Sequence, residues 1–108
     1  MPLSKAFALF LEQAPAQAAA WMTMVEGMAK ASALDPKTEA IAYLAVLAAT
    51  GQHSGIPFHV AEAKRAGASR EEVVGAILLG LPAIGHRALG ALPEALAAYD
   101  GPEGHAAP

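Results

Sequence analysis

Two histidines, His53 and His59, flank the segment HSGIPFH. Imidazole titrates near neutrality, so each is equipped to move a proton at a substrate carbon beside a carbonyl. His59 is the stronger candidate for catalysis. Pro57 suits the first turn of a helix, and a position just inside a helix N-terminus disfavours the imidazolium and leaves a neutral base. The alternative for His59 is a buried ring hydrogen-bonded to backbone. His53 reads as a second acid/base group, or as an exposed loop residue. Gln52 and Ser54 are candidates for binding a substrate, or for capping the helix that follows. The two histidines are six apart, not the three or four that puts two imidazoles on one helical face, and no carboxylate is near. Neither a metal site nor a cofactor is expected. His86 and Arg87 read as surface or interface, although an arginine there is also a potential carboxylate ligand. Glu62, Lys64, Arg65, Glu71 and Glu72 read as a wet helix face and a cap.

The elements that must position these residues are all helical. No period-two alternation is visible, and alanine dominates, which favours helix. Ser4 is placed to cap a helix over Lys5–Gln13. Pro15 suits the first turn of a second, running to about Lys30. In it Trp21, Met24, Val25 and Met28 recur at helical spacing, a stripe that reads as core or subunit contact. Asp35-Pro36 is a start signal for a third helix, Lys37–Thr50, which ends at Gly51. A short loop over 52–56 leads to a fourth, about Pro57–Ala66, stopped by Gly67. The run Ser69-Arg70-Glu71-Glu72 is a capping box, opening a fifth helix through about Leu81 that should be buried on most sides. A last helix is expected over Gly85–Tyr99, with Pro93 as a kink or restart. One domain over 1–100 and a flexible tail over 101–108 follow.

The chain has 108 residues, is 55% hydrophobic and contains no cysteine. A domain this small has much surface per volume and cannot easily hide so much apolar side chain alone, so self-association is expected. The net charge of −3 and the absence of any basic run argue against nucleic acid as a partner. The apolar runs around 41–51 and 73–85 fall short of the ~18–20 residues a membrane span needs. No signal peptide is apparent at the N-terminus, and the expectation is a soluble, cytoplasmic protein. Without sulfur the chain has no disulfide, no thiolate metal site and no thiol redox cycle of its own.

The run from Leu34 to Leu81 resembles the carboxymuconolactone decarboxylase family and its relative alkylhydroperoxidase D. "LDPKTEAIAYLAVLAATG" is similar to the family's helix before the site. "SGIPFHVAEAKRAGASREEVVGAILLG" is similar to its site helix, Gly-Ala-Ser turn and following helix. The resemblance implies an all-α helical bundle of about six helices, assembled as a homo-oligomer, a trimer or hexamer. The peroxidase branch reads Cys-x-x-Cys-x-x-x-His here. With His59 in the histidine slot, the cysteine slots fall on Gln52 and Gly55, so sulfur-based peroxide reduction is excluded. The relay glutamate of that branch has Glu39 as its nearest counterpart, but the slot itself falls on Ala40, a rotation of about 100° away on a helix. The decarboxylase branch also lacks the cysteines and keeps the histidine, but charged residues tend to occupy those slots, unlike Gln52 and Gly55. Two functions are compatible with this resemblance. One is a small enzyme acting on an organic acid or lactone through His59, with Gln52 or His53 positioning the substrate and Ile41, Ile56 and Phe58 as apolar walls. The other is a non-catalytic oligomeric binding or scaffold protein on the same fold. A metal-dependent binder using His53 and His59 is a third, weaker alternative.

Overall fold

The computed structural model describes residues 3–106, with side chains described as far as Gly101. Each helix begins and ends for a reason visible in its termini. Helix α1 (Lys5–Gln13) is capped by Ser4, whose hydroxyl accepts from the Phe7 N–H at 3.1 Å. Helix α2 (Pro15–Ala31) follows with Pro15 in its first turn. Asp35 caps α3 (Pro36–Thr50), accepting from the Thr38 N–H and hydroxyl, each at 2.9 Å. These two bonds hold the Asp35 carboxyl below its usual range. Gly51 ends α3 in the left-handed region at φ 74°, where a Cβ is disfavoured.

A single 3-10 turn, His53–Gly55, leads into α4 (Ile56–Arg65). Gly67, at φ 101°, turns the chain toward α5 (Arg70–Leu78). The capping box at its start is complete: Ser69 Oγ accepts from the Glu72 N–H at 3.0 Å, and the Glu72 carboxylate accepts from the Ser69 N–H at 2.9 Å. Val73 and Ile77 are buried and Val74 and Leu78 partly so, whereas Leu79 projects from the surface.

The region after α5 departs from the single long helix expected there. Helix α6 (Leu81–Ile84) is one turn, and Gly85 breaks it at φ 74°, ψ −157°. A 3-10 segment, Gly85–Ala91, follows, and α7 (Leu92–Ala106) starts at Leu92 with Pro93 in its first turn. The helix expected from Gly85 therefore starts seven residues later, and Pro93 is a restart rather than a kink. Proline has no N–H to lose in a first turn. The helix count differs slightly from six for this reason. Taken end to end, Arg70–Gly101 is long and apolar enough to cross a membrane by length and composition, but the Gly85 break and the 3-10 segment divide it, and α5 and α7 pack on each other. Gly101, at φ 87°, interrupts the helical geometry of α7. Of the segment expected as a tail, residues 107 and 108 lie outside the described residues.

The core is built from α3, α4, α5 and α7. Leu44, Leu47, Ile56, Val60, Val73 and Ile77 fill it, with Ala48, Ala63, Ala91 and Ala95 allowing close approach. The far end is tied by Tyr99, whose hydroxyl donates to the Ala68 carbonyl at 2.9 Å, and by Arg70, paired with Asp100 at 2.9 Å. The α1–α2 pair is different. These helices pack on each other and scarcely touch the rest of the bundle, and Ala18 is the only buried residue on α2. Trp21, Met24, Val25 and Met28 are all exposed, so within one chain this stripe is not core.

Candidate functional site

Helix α4 sets the rotation of His59. Ile56, Val60 and Ala63 recur at helical spacing and are fully buried against α3 and α7. His59, one position before Val60, therefore sits at the margin of the buried face and is half-buried. Its ring lies 4.5 Å, centroid to centroid, from Tyr43 on α3, tilted by 51°, and 5.1 Å from Phe58, edge-on. Such spacings are in the favourable range for aromatic pairs.

Burial pushes the His59 imidazole below its ordinary range, and the charge of Glu62 one turn later partly opposes that. Among the described residues neither ring nitrogen is hydrogen-bonded by protein, and no buried side-chain nitrogen is left without a partner. The ring nitrogens are thus open to water or a ligand. The bland alternative, an imidazole locked by backbone hydrogen bonds, does not describe this residue.

Gly55 faces the same ring. A Cβ there would lie 3.7 Å from His59 Cδ2 and 3.6 Å from a Leu47 methyl, an ordinary contact. Gln52 and Gly55 bracket one 3-10 turn, with the Gly55 N–H reaching the Gln52 carbonyl at 3.4 Å. Gln52 and Ser54 are exposed, and neither supplies a side-chain cap to α4.

His53 turns the other way. Its Nδ1 lies 3.3 Å from Glu94 Oε1 on α7, an ion-pair distance when the imidazole is protonated. A Cβ at Gly90 would come within 3.0 Å of His53 Cε1, so the glycine makes room for the ring. The two histidines therefore engage different helices, His59 with α3 and His53 with α7. Among the described residues no three His, Asp or Glu side chains converge on one point. Arg87 reaches back over Gly51, its Nη2 3.5 Å from where a Cβ would stand.

Sequence reasoning passed over Tyr43 and Glu94. Both act across helix pairs, and nothing local marks them. Tyr43 was legible only as an aromatic on α3, one turn before Leu47. Glu39 lies one turn before Tyr43 on the same face of α3, whereas Ala40 packs against the core. Of the expected apolar walls, Phe58 touches His59, Ile56 is wholly buried in the core, and Ile41 lines a depression between α3 and α5.

A family model described as "Carboxymuconolactone decarboxylase family" matches residues 15–98, more than three-quarters of the chain. The chain belongs to the carboxymuconolactone decarboxylase family. No curated protein and no solved structure matches it. The family match spans α2, the α3–α4 junction that carries His53 and His59, and the first half of α7 with Glu94, so it covers the whole candidate site. Within this family the chain is a cysteine-free member.

Proposed function

We propose that this member of the carboxymuconolactone decarboxylase family is a homo-oligomeric enzyme of proton-transfer or decarboxylase type, acting on a small organic acid or lactone through His59. The observation that carries the reading is the state of that ring: half-buried among Tyr43, Phe58 and Gly55, disfavoured as a cation, and with no protein partner on its nitrogens. A neutral imidazole in apolar surroundings is a competent base at neutral pH.

In the simplest step, His59 takes a proton from the carbon beside the substrate's carbonyl. The C–H electron pair moves onto the carbonyl oxygen as an enolate, and the imidazolium returns the proton to the same or a conjugated carbon. For a carboxylate placed β to the carbonyl, the C–C bond breaks instead and carbon dioxide leaves. The C–C electron pair moves onto the carbonyl oxygen as an enolate, whose carbon then takes a proton from a water held by the neutral His59 ring, leaving hydroxide that is neutralised by solvent.

The test is hydrogen–deuterium exchange at the acidic carbon of a panel of small keto acids and unsaturated lactones, followed by NMR in D2O, with carbon dioxide release measured in parallel. Replacing His59 with Gln should lower the rate by about 10²–10⁴-fold, the usual worth of a positioned general base. If the variant exchanges as fast as the native chain, the assignment of His59 is wrong. If only the assembly weakens, the non-catalytic scaffold becomes the better description.

A further inference from the structure

His53 and Arg87 cross one seam of the molecule in opposite directions. His53 reaches from the turn after α3 to Gly90 on the 3-10 segment, where a Cβ would meet its Cε1 at 3.0 Å and its Nε2 at 3.5 Å. Arg87 reaches from that segment back to Gly51, its Nη2 3.5 Å and its Nε 3.9 Å from where a Cβ would stand. Residues three apart in a 3-10 helix eclipse one another, with a rise of about 6 Å between them. Arg87 and Gly90 therefore share one face of the segment, and that face meets the turn after α3. The guanidinium and the imidazole run along the same seam, and both are open to solvent.

The two groups are not equally engaged. His53 has Glu94 at 3.3 Å from its Nδ1. The chain has three arginines. Arg65 pairs with Glu62 at 3.0 Å and Arg70 with Asp100 at 2.9 Å. Among the described residues no carboxylate pairs with Arg87. Nor do Val46, Leu47 and Ala48 in the last turn of α3 call on it. The Val46 and Leu47 carbonyls accept from the Thr50 hydroxyl, and the Leu47 and Ala48 carbonyls accept from the N–H groups of Gln52 and Gly51. A planar fork of charged donors is left facing water at this seam.

We propose that Arg87 and His53 form a binding site for a small monocarboxylate, separate from the His59 ring. The Arg87 fork takes the carboxylate, for which its geometry is suited. Both nitrogens of an imidazolium donate, so His53 keeps Glu94 on Nδ1 and offers Nε2 to the ligand. Two cations against Glu94 and one bound carboxylate leave the filled site neutral. Glu94 also selects the ligand's charge: a dianion would be repelled by it where a monoanion is balanced. Gly90 admits the ring, because any side chain there would press on Cε1. The filled site would join the turn that aims α4 to the segment that leads into α7.

The probe is sodium propanoate, titrated at constant ionic strength against sodium chloride in mildly acidic buffer and followed by two-dimensional NMR. Saturable shifts are expected at the Arg87 Nε–H and at the His53 ring, with sodium sulfate binding more weakly. Arg87→Gln should raise the Kd about tenfold to a hundredfold, the usual worth of a charge-assisted hydrogen bond. Arg87→Lys keeps the charge without the fork and should recover only part of the affinity. Gly90→Ala keeps every charge and should abolish the His53 ring shift by displacing the ring. Both positions are exposed, so the helical circular dichroism spectrum should be unchanged. Three results would overturn the proposal. They are propanoate shifts no larger than those from chloride, sulfate binding more tightly than propanoate, and an Arg87→Gln chain that binds as well as the native one but unfolds more easily. The last would leave Arg87 as a counter-charge for the end of α3. The titration reads binding and not turnover, so its failure and that of deuterium exchange at the substrate carbon are told apart.

Discussion

At the scale of single residues, the site turns on one ring and its electrostatic neighbours. His59 is shifted down by burial and held up in part by Glu62, which also pairs with Arg65 at 3.0 Å. The neutral form is the base, so the acid limb of any His59-dependent rate should fall below the ordinary histidine value of 6.5. Glu62→Gln removes the influence that favours the imidazolium. The acid limb should then move to still lower pH while the plateau stays the same, as read from the pH profile of the exchange rate. An upward move would mean that another group controls the limb. His53 has a different environment: its carboxylate partner and the space left by Gly90 come from the 3-10 segment and α7. The sequence marked both histidines. It left open which would be free and which engaged, because the partners lie 16 residues before His59 and 41 after His53.

At the scale of elements, the junction between α3 and α4 positions everything that matters. Gly51 ends α3 at φ 74°, and its N–H and that of Gln52 return to the Ala48 and Leu47 carbonyls. A side chain in that conformation costs about 1–2 kcal/mol, so Gly51→Ala should lower unfolding free energy by that amount in a urea titration. It should also disturb the 3-10 turn that aims α4. The ends of α1, α3, α4 and α5 were legible from local chemistry alone, namely Ser4, Asp35-Pro36, Gly51, Gly67 and the Ser69–Glu72 box. Caps are satisfied within four residues, so neighbouring sequence is enough to predict them. The stretch after Leu78 was not legible in the same way. The interruption between Leu81 and Gly85 was readable from Pro82 and Gly85, but the 3-10 segment that delays the last helix to Leu92 was not, because its apolar residues suit a helix and the packing of α7 against α4 and α5 sets where that helix begins.

At the scale of the whole molecule, the apolar excess has a location. The α3–α4–α5–α7 bundle buries its own leucines, isoleucines and valines, and the surplus sits on the arm and the face of α3. If assembly covers that surplus, folding is coupled to association, and the melting temperature rises with protein concentration. Differential scanning calorimetry over a hundredfold dilution series should show this. A concentration-independent transition would indicate that the exposed stripe is tolerated by an isolated chain.

The sequence by itself determined the helical class, most helix termini, the family and the exclusion of thiol chemistry. Each of these depends on residue type, short spacing or composition. Only the tertiary structure decided that Tyr43 rather than Ile41 walls His59, that Glu94 engages His53, and that the Trp21–Met28 stripe lies outside the core of its own chain. Those facts depend on which helix faces meet, and the meeting is set by the collective packing of small and large side chains across distant segments. Periodicity shows that a face is apolar; what covers it is settled only in three dimensions.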